Sequence, residues 1–147
     1  MDLSQVVETS VSATTPFSPV EGVAGIALLM VAADGCVSHE EVELLNASVF
    51  RMKLFDGFSN TTLKQLFNKM TQELKQQSCD DFLRNMVSAV PAEMAMSVFA
   101  IAADIAFSDG ELSDEEQAIL EFIYGLFEIP KDMALQILQV MEIKNQY

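Results

Sequence analysis

The sequence predicts an all-α fold: a bundle of about seven helices built as a pseudo-twofold repeat of a helix, Asp-Gly turn, helix, helix unit. Apolar residues recur at steps of three and four along most of the chain, and no segment shows the sustained alternation typical of strands. A shift of 75 residues lays segment 31–45 onto segment 106–120. We therefore expect two copies that bury their apolar helices against each other.

Composition and charge narrow the class of protein. The chain has 147 residues, 50% of them apolar, which suffices for a sizeable core. Its 22 Asp and Glu against 8 Lys and Arg give a net charge of −14, which would repel nucleic acid and attract cations and basic protein surfaces. Cys36 and Cys79 lack metal-ligand spacing and are interpreted as free thiols. With no signal peptide or transmembrane segment in the pattern, we expect a cytoplasmic protein.

The first half of the chain is predicted to hold an arm and four helices. Residues 1–18 show no helical period and are interpreted as a flexible or loosely packed N-terminal arm, followed by a single domain over 19–147. A buried helix begins at Pro19 and stops at Asp34-Gly35. Amphipathic helices follow over about 38–53 and 60–77, with a shorter connecting helix after them. Their inward positions are predicted to be Val42, Leu45, Val49 and Met52, then Leu63, Phe67, Met70 and Leu74, then Leu83, Met86, Val87 and Val90.

The second half is predicted to hold three helices. Pro91 opens a second buried helix, which is uncharged between Glu93 and Asp104. A sixth helix runs from Ser113 to about Phe127, and Pro130 opens the seventh. Their inward positions are predicted to be Ile119, Phe122, Ile123, Leu126, Ala134, Ile137, Leu138 and Met141, and methionine and phenylalanine are interpreted mainly as core residues.

The internal repeat aligns two acidic turns and spans about 20–70 and 95–141. VAADGCVSHEEVELL falls on AFSDGELSDEEQAIL, and about three extra residues in the first copy then place Leu63 opposite Leu135. The paired acidic and capping positions are Asp34 with Asp109, Ser38 with Ser113, Glu40 with Glu115, and Glu41 with Glu116.

Each turn reads like the back half of a calcium-binding loop, with Asp-Gly followed by an aliphatic residue, Ser and Glu. The front half is missing, because Ile105 and Phe107 stand where the first oxygen ligands of the second loop belong. A cation site would therefore need another geometry, with two carboxylates from each turn completed by backbone carbonyls, waters or Asp104. Oxygen ligands favour Ca²⁺ or Mg²⁺. The candidate ligands are Asp34 with Glu41 and Asp109 with Glu116.

A purely structural interpretation covers the same positions. Ser38 with Glu41 and Ser113 with Glu116 have the spacing of capping boxes, and a glycine after Asp supplies a left-handed residue at a helix end. His39 is interpreted as exposed, with a ligand role beside Glu40 as the alternative. Asp104 ends an apolar run, so its ionised form needs a partner or contact with solvent.

The segments AADGCVSHEE at 32–41 and FSDGELSDEEQAIL at 107–120, with the Ile-Pro step at 129–130, resemble the tellurite-resistance TerB-like family. The resemblance covers roughly residues 20–141. It implies an all-helical pseudo-symmetric fold, a cytoplasmic or membrane-peripheral role in stress or tellurite resistance, and a cation site formed by acidic residues of the turns. Cys36 and His39 depart from the pattern. The cation ligands that the resemblance implies are Asp34, Glu41, Asp109 and Glu116, with Glu40 and Glu115 next to them.

The expected function is that of a non-enzymatic acidic helical module that binds divalent cations at the two turns and docks partner proteins. The alternative is a metal-independent protein-interaction domain whose turns are only helix caps. A hydrolase is disfavoured, since the sequence has one His, no glycine-rich phosphate loop and no nucleophile elbow.

Overall fold

The computed structural model describes residues 17–32, 51–108 and 110–147. These ranges contain six α-helices, two short 3₁₀ turns at Lys53–Phe55 and Ala92–Met94, and no strand, so the all-α prediction is confirmed. The helix predicted over about 38–53 lies almost wholly outside the described residues. The helices are α1 (Pro19–Val31), α2 (Asn60–Lys75), α3 (Cys79–Ala89), α4 (Ala95–Ala106), α5 (Asp114–Leu126) and α6 (Lys131–Lys144).

Serine begins four of these helices. In each case the hydroxyl oxygen accepts a hydrogen bond from the backbone N–H three residues later, which satisfies one of the donors that a helix start leaves unpaired. The four N-cap residues are Ser18, Ser59, Ser78 and Ser113. The N-terminal arm predicted over 1–18 lies outside the described residues up to position 16; Phe17 already packs against the core.

The second buried helix begins later than the sequence predicts. Pro91 does not open it: Val90 and Pro91 are extended, a 3₁₀ turn follows, and α4 starts at Ala95. A residue before proline is sterically driven out of the helical region, so Val90 ends α3 and the chain must turn before it can re-enter a helix.

The two apolar helices form the centre of the fold, as predicted. Ten of the thirteen residues of α1 are buried. α1 packs against α2, α3 and α4, and α4 packs in turn against α5 and α6. Gly22 and Gly25 let α3 approach α1 closely, because a Cβ at Gly22 would lie 2.7 Å from the Met86 carbonyl oxygen.

The ends of α1 and α4 show that the repeat is structural. The N–H of Ala32 donates to the carbonyls of Leu28 and Met30, with φ −87° and ψ 3°. The N–H of Phe107, 75 positions later, donates to the carbonyls of Ala103 and Ile105, with φ −88° and ψ 0°. The two apolar helices therefore terminate with the same geometry.

The last helices of the two copies are related by a different shift. α2 begins at Asn60 and α6 at Lys131, 71 positions later, so Leu63 corresponds to Ala134, and both are fully buried. Leu135, the residue aligned with Leu63 by sequence, is 49% exposed. That alignment was one residue out of register. The first copy thus contains four extra residues rather than about three.

Most predicted core positions are buried or half-buried in the described residues. Leu63, Met70, Met86 and Ile123 are almost fully excluded from solvent. Two methionines are exceptions to the prediction of a core role, since Met96 is 50% exposed and Met133 36% exposed. Phe55 and Phe82 are buried, which agrees with the core role predicted for phenylalanine, whereas the burial of Leu120 and Ile129 was not predicted.

Within the described ranges, no individual helix has the length and apolar character needed to span a membrane. One pair, Cys79–Ala89 with Ala92–Ala106, meets these criteria jointly but is bent by 104°.

Candidate functional site

The acidic turns are described only in part. Asp34, Glu40 and Glu41 lie outside the described residues, together with Cys36 and His39, and so does Asp109. The cation site predicted at the first turn is therefore untested. The second turn is described from Gly110 onward, together with α4 before it and α5 after it.

Gly110 has the left-handed backbone predicted for the glycine after Asp. Its φ is 94°, and its N–H donates to the carbonyl oxygen of Phe107 at 2.9 Å. Ser108 closes the same end of α4, because its hydroxyl donates to the carbonyl oxygen of Ile105 at 2.7 Å. Since a side chain at φ 94° would be strained, the turn requires glycine at this position.

Ser113 and Glu116 form the predicted capping box at the start of α5. The Glu116 N–H donates to Ser113 Oγ at 3.1 Å, and the Ser113 N–H donates to Glu116 Oε1 at 2.9 Å. This geometry confirms the capping interpretation for the second turn. A carboxylate offers about four acceptor sites, so accepting the capping hydrogen bond does not by itself exclude cation binding.

Glu21 shows both roles in one residue. It forms a capping box with Ser18, in which the Ser18 N–H donates to Glu21 Oε1 at 2.9 Å, while Glu21 Oε2 accepts from the ammonium group of Lys69. Burial alone would raise the pKa of Glu21, but the contacts with Lys69 and Ser18 outweigh it and lower that pKa below its ordinary value. This box was not predicted, although Ser-x-x-Glu spacing before an apolar run is the usual signature of a capping box.

Asp104 has the partner that its position requires. Its Oδ1 accepts from Lys144 Nζ at 3.1 Å and from Asn145 Nδ2 at 2.8 Å, and its side chain is only 16% exposed. Asn145 also donates to the carbonyl oxygen of Met141 at 2.8 Å, which closes the end of α6. The carboxylate proposed as a supplementary cation ligand therefore ties the end of α4 to the end of α6.

The first turn of α5 holds three consecutive acids, Asp114, Glu115 and Glu116. Negative charge is favourable there because the start of a helix carries a partial positive charge. Among the described residues, no three Asp, Glu, His or Cys side chains converge where a metal ion would fit. A Ca²⁺ or Mg²⁺ site at this turn would depend on Asp109, and it stays a prediction.

An apolar groove lies apart from the acidic turn, between the 3₁₀ turn Lys53–Phe55 and α4. It is open to solvent and has a volume of about 430 Å³. Its lining consists of Met52, Lys53, Leu54, Met94, Ser97 and Ile101. The predominance of apolar side chains suits packing rather than acid–base chemistry.

The negative charge is divided unequally between the copies. Residues 20–70 hold six Asp and Glu against four Lys and Arg, a net charge of −2. Residues 95–141 hold nine against one, a net charge of −8. The second copy is therefore the strongly electronegative part of the molecule.

Comparison with known proteins agrees with this architecture. The model of one family, tellurite resistance protein TerB, matches residues 21–139. No curated protein and no solved structure matches the chain. The family match runs from the first turn of α1 into α6 and includes both Asp-Gly turns. The chain belongs to the TerB family of tellurite resistance proteins.

Proposed function

We propose that the chain is a non-catalytic adaptor of the tellurite or stress response, which docks proteins with basic surfaces through its second copy. The observation that carries the proposal is the net charge of −8 on residues 95–141 against −2 on residues 20–70. The two copies share one helical plan, so the plan itself does not demand this charge. An electronegative surface accelerates encounter with basic partners and excludes acidic ones.

The helix dipole favours Asp114 and Glu115 at the start of α5, but it does not account for Glu121 farther along the helix, and none of the three forms an ion pair within the described part of the chain. Asp114, Glu115 and Glu121 are exposed on α5. Repulsion among them destabilises the isolated protein slightly, and a basic partner would relieve it. This supports a binding role for the acidic surface.

Docking is tested by crosslinking and co-purification from cells that express the chain. We compare the natural protein with a variant carrying Asp114→Asn, Glu115→Gln and Glu121→Gln. A control carries Asp56→Asn, Asp80→Asn and Asp81→Asn, which also removes three exposed acids, two of them from the first turn of a helix. We expect the first variant to lose specific partners and the control to keep them. Equal retention by both would contradict the proposal.

We also propose a second function, binding of Ca²⁺ or Mg²⁺ at the second turn, where five acids fall within residues 109–116. Glu21 caps a helix with one carboxylate oxygen while the other contacts the Lys69 ammonium group, so a capping box does not by itself exclude a cation contact. The predicted ligands of this site are Asp109 and Glu116.

Thermal unfolding with millimolar Ca²⁺, Mg²⁺ or EDTA at matched ionic strength tests this function. A specific site adds about 2.7 kcal/mol at a hundredfold excess over Kd. The variant Asp109→Asn with Glu116→Gln removes the charges while glutamine still caps the helix; Ser113→Ala removes the cap and keeps the charges. Stabilisation lost only in the first variant indicates a cation site. No cation effect beyond that of salt leaves the turns as caps.

A further inference from the structure

α6 has an apolar face turned away from the core. Met133, Val140 and Ile143 are 36%, 56% and 66% exposed, and at 3.6 residues per turn they lie within about 80° of one another around the helix, on an arc that also contains the exposed Gln136. We call these three residues the α6 face. The opposite side of α6 packs inward through Ala134 and its neighbours Ile137 and Met141.

The first copy provides an internal control for this face. A shift of 71 residues, which superposes the starts of α2 and α6, takes the three positions back to Thr62, Lys69 and Gln72, all exposed. Three outer positions are therefore polar in the first copy and apolar in the second. The shared helical arrangement does not call for apolar residues there, and exposed apolar side chains grouped on one side of a helix are a candidate binding surface.

The neighbouring position on the buried helix changes in the same way. Glu21 of α1, which pairs with Lys69, corresponds at a shift of 75 to Met96 of α4, which is 50% exposed. An ion pair in the first copy is thus replaced by Met96 and Val140 in the second. The substitution extends the exposed apolar character beyond α6.

Charge indicates what kind of partner fits this surface. α6 itself is neutral, with Lys131 and Lys144 against Asp132 and Glu142, but the copy that contains it has a net charge of −8 over residues 95–141. A second copy of the chain would bring two such surfaces together against their repulsion. A helix with an apolar stripe and basic flanks satisfies both features, since its apolar side chains would cover the α6 face and its cations would be attracted by the net negative charge of the second copy.

We propose that the α6 face docks a basic amphipathic helix of a partner protein. This inference rests on the proposed docking function and adds its site and the chemistry of its partner. Different residues attract the partner and retain it. The acids of α5 supply long-range attraction, and Met133, Val140 and Ile143 supply the apolar contact that retains the partner.

The probe is a synthetic amphipathic peptide of about 18 residues, with leucine on one face and lysine on the other, measured by fluorescence anisotropy in about 0.15 M salt. The test variant combines Met133→Thr, Val140→Thr and Ile143→Thr, which change no charge. Its control combines Thr62→Ser, Gln65→Thr and Gln72→Thr, three exposed positions of α2. Circular dichroism and thermal unfolding verify that both variants are folded.

We expect the test variant to bind the peptide at least about tenfold more weakly than the natural chain and the control to bind it equally well. A natural chain that fails to bind, or that binds a glutamate-for-lysine peptide as tightly, overturns the inference. So does sedimentation that shows a dimer abolished by the three threonines, which would assign the face to a second copy. Binding that survives the threonines but falls on neutralising Asp114, Glu115 and Glu121 rejects the α6 face and leaves the docking function standing.

Discussion

Lys69 of α2 forms an ion pair with Glu21 of α1, and the positions corresponding to them in the second copy hold Val140 and Met96. In the first copy, this ion pair joins α1 to α2. In the second copy, the corresponding side chains are apolar and exposed to solvent. The two copies have thus diverged on a shared plan, with a stabilising contact in the first and a candidate binding surface in the second.

The ion pair predicts a pH-dependent loss of stability. Glu21→Gln keeps the capping box but removes the charge, and we expect it to lower the free energy of unfolding at pH 7 by about 0.5–1 kcal/mol, because Lys69 is 56% exposed and partly screened. The pKa of Glu21 is lowered on folding, so its contribution is present above pH 4.5 and is lost as pH falls through the folded-state pKa. Urea unfolding at pH 7 and at successively lower pH measures this difference.

Glu142→Gln changes the net charge equally on an exposed position of α6 and serves as the control. A difference between Glu21→Gln and the natural chain that stayed constant down to pH 2 would contradict the role of the ion pair.

The glycine contact between α1 and α3 predicts opposite effects at two helical glycines. Gly22→Ala places a Cβ against backbone, 2.7 Å from the Met86 carbonyl oxygen, and we expect destabilisation of about 1–3 kcal/mol. Gly125→Ala in α5 meets no atom within 4 Å and should stabilise by up to about 1 kcal/mol. Chemical denaturation of both variants checks the signs, and changes of the same sign would refute the close packing of α3 on α1.

We expect loss of the Asp104 carboxylate to loosen the last turn of α6. Asp104→Asn removes the ion pair with Lys144 and should destabilise the protein by roughly 0.5–1.5 kcal/mol, with faster amide exchange in the last turn of α6. A double-mutant cycle with Lys144→Gln isolates the coupling between the two side chains. No coupling, together with unchanged exchange, would show that the contact does not hold α6.

We expect the substitution Glu128→Gly to stabilise the protein. It has φ 58° at the end of α5, where its N–H donates to the Gly125 carbonyl at 3.2 Å and the Ile129 N–H donates to the Tyr124 carbonyl at 3.0 Å. Glycine normally occupies this position of such a helix end. Glu128→Gly relieves a left-handed strain of about 1–2 kcal/mol at a backbone-entropy cost of about 0.5–1 kcal/mol, so a net gain of roughly 0.5–1 kcal/mol is expected.

Glu128→Ala removes the same charge and retains the Cβ, so it should show no such gain in thermal unfolding. Equal melting temperatures for the glycine and alanine variants would attribute the effect to charge instead of backbone strain.

Local pattern was enough to predict the class of fold and the capping box of Ser113 with Glu116. Both depend on residues close in sequence, where helical spacing and cap chemistry decide the structure. Burial of Leu63 and Met70 follows from the same spacing. The alignment of Leu63 with Leu135 was wrong. It matched leucine with leucine, whereas the buried residue that corresponds to Leu63 is the smaller Ala134.

Contacts between distant segments could not be read from the sequence. Asp104 is 40 positions from Lys144, and Glu21 is 48 from Lys69. Neither pairing has a local signature, since each depends on how whole helices pack. The exposed apolar residues of α6 could not be predicted for a related reason. Whether Met133 faces the core or solvent depends on how the helix is rotated against its neighbours, which the sequence does not show.

Backbone amide resonances of the natural chain, recorded while the leucine–lysine peptide is added, show directly whether the second copy binds the peptide and the first does not. We expect shifts concentrated in the first turn of α5 and along α6, with α2 and α3 little affected. Shifts concentrated on α2 and α3, or spread equally over both copies, would contradict it.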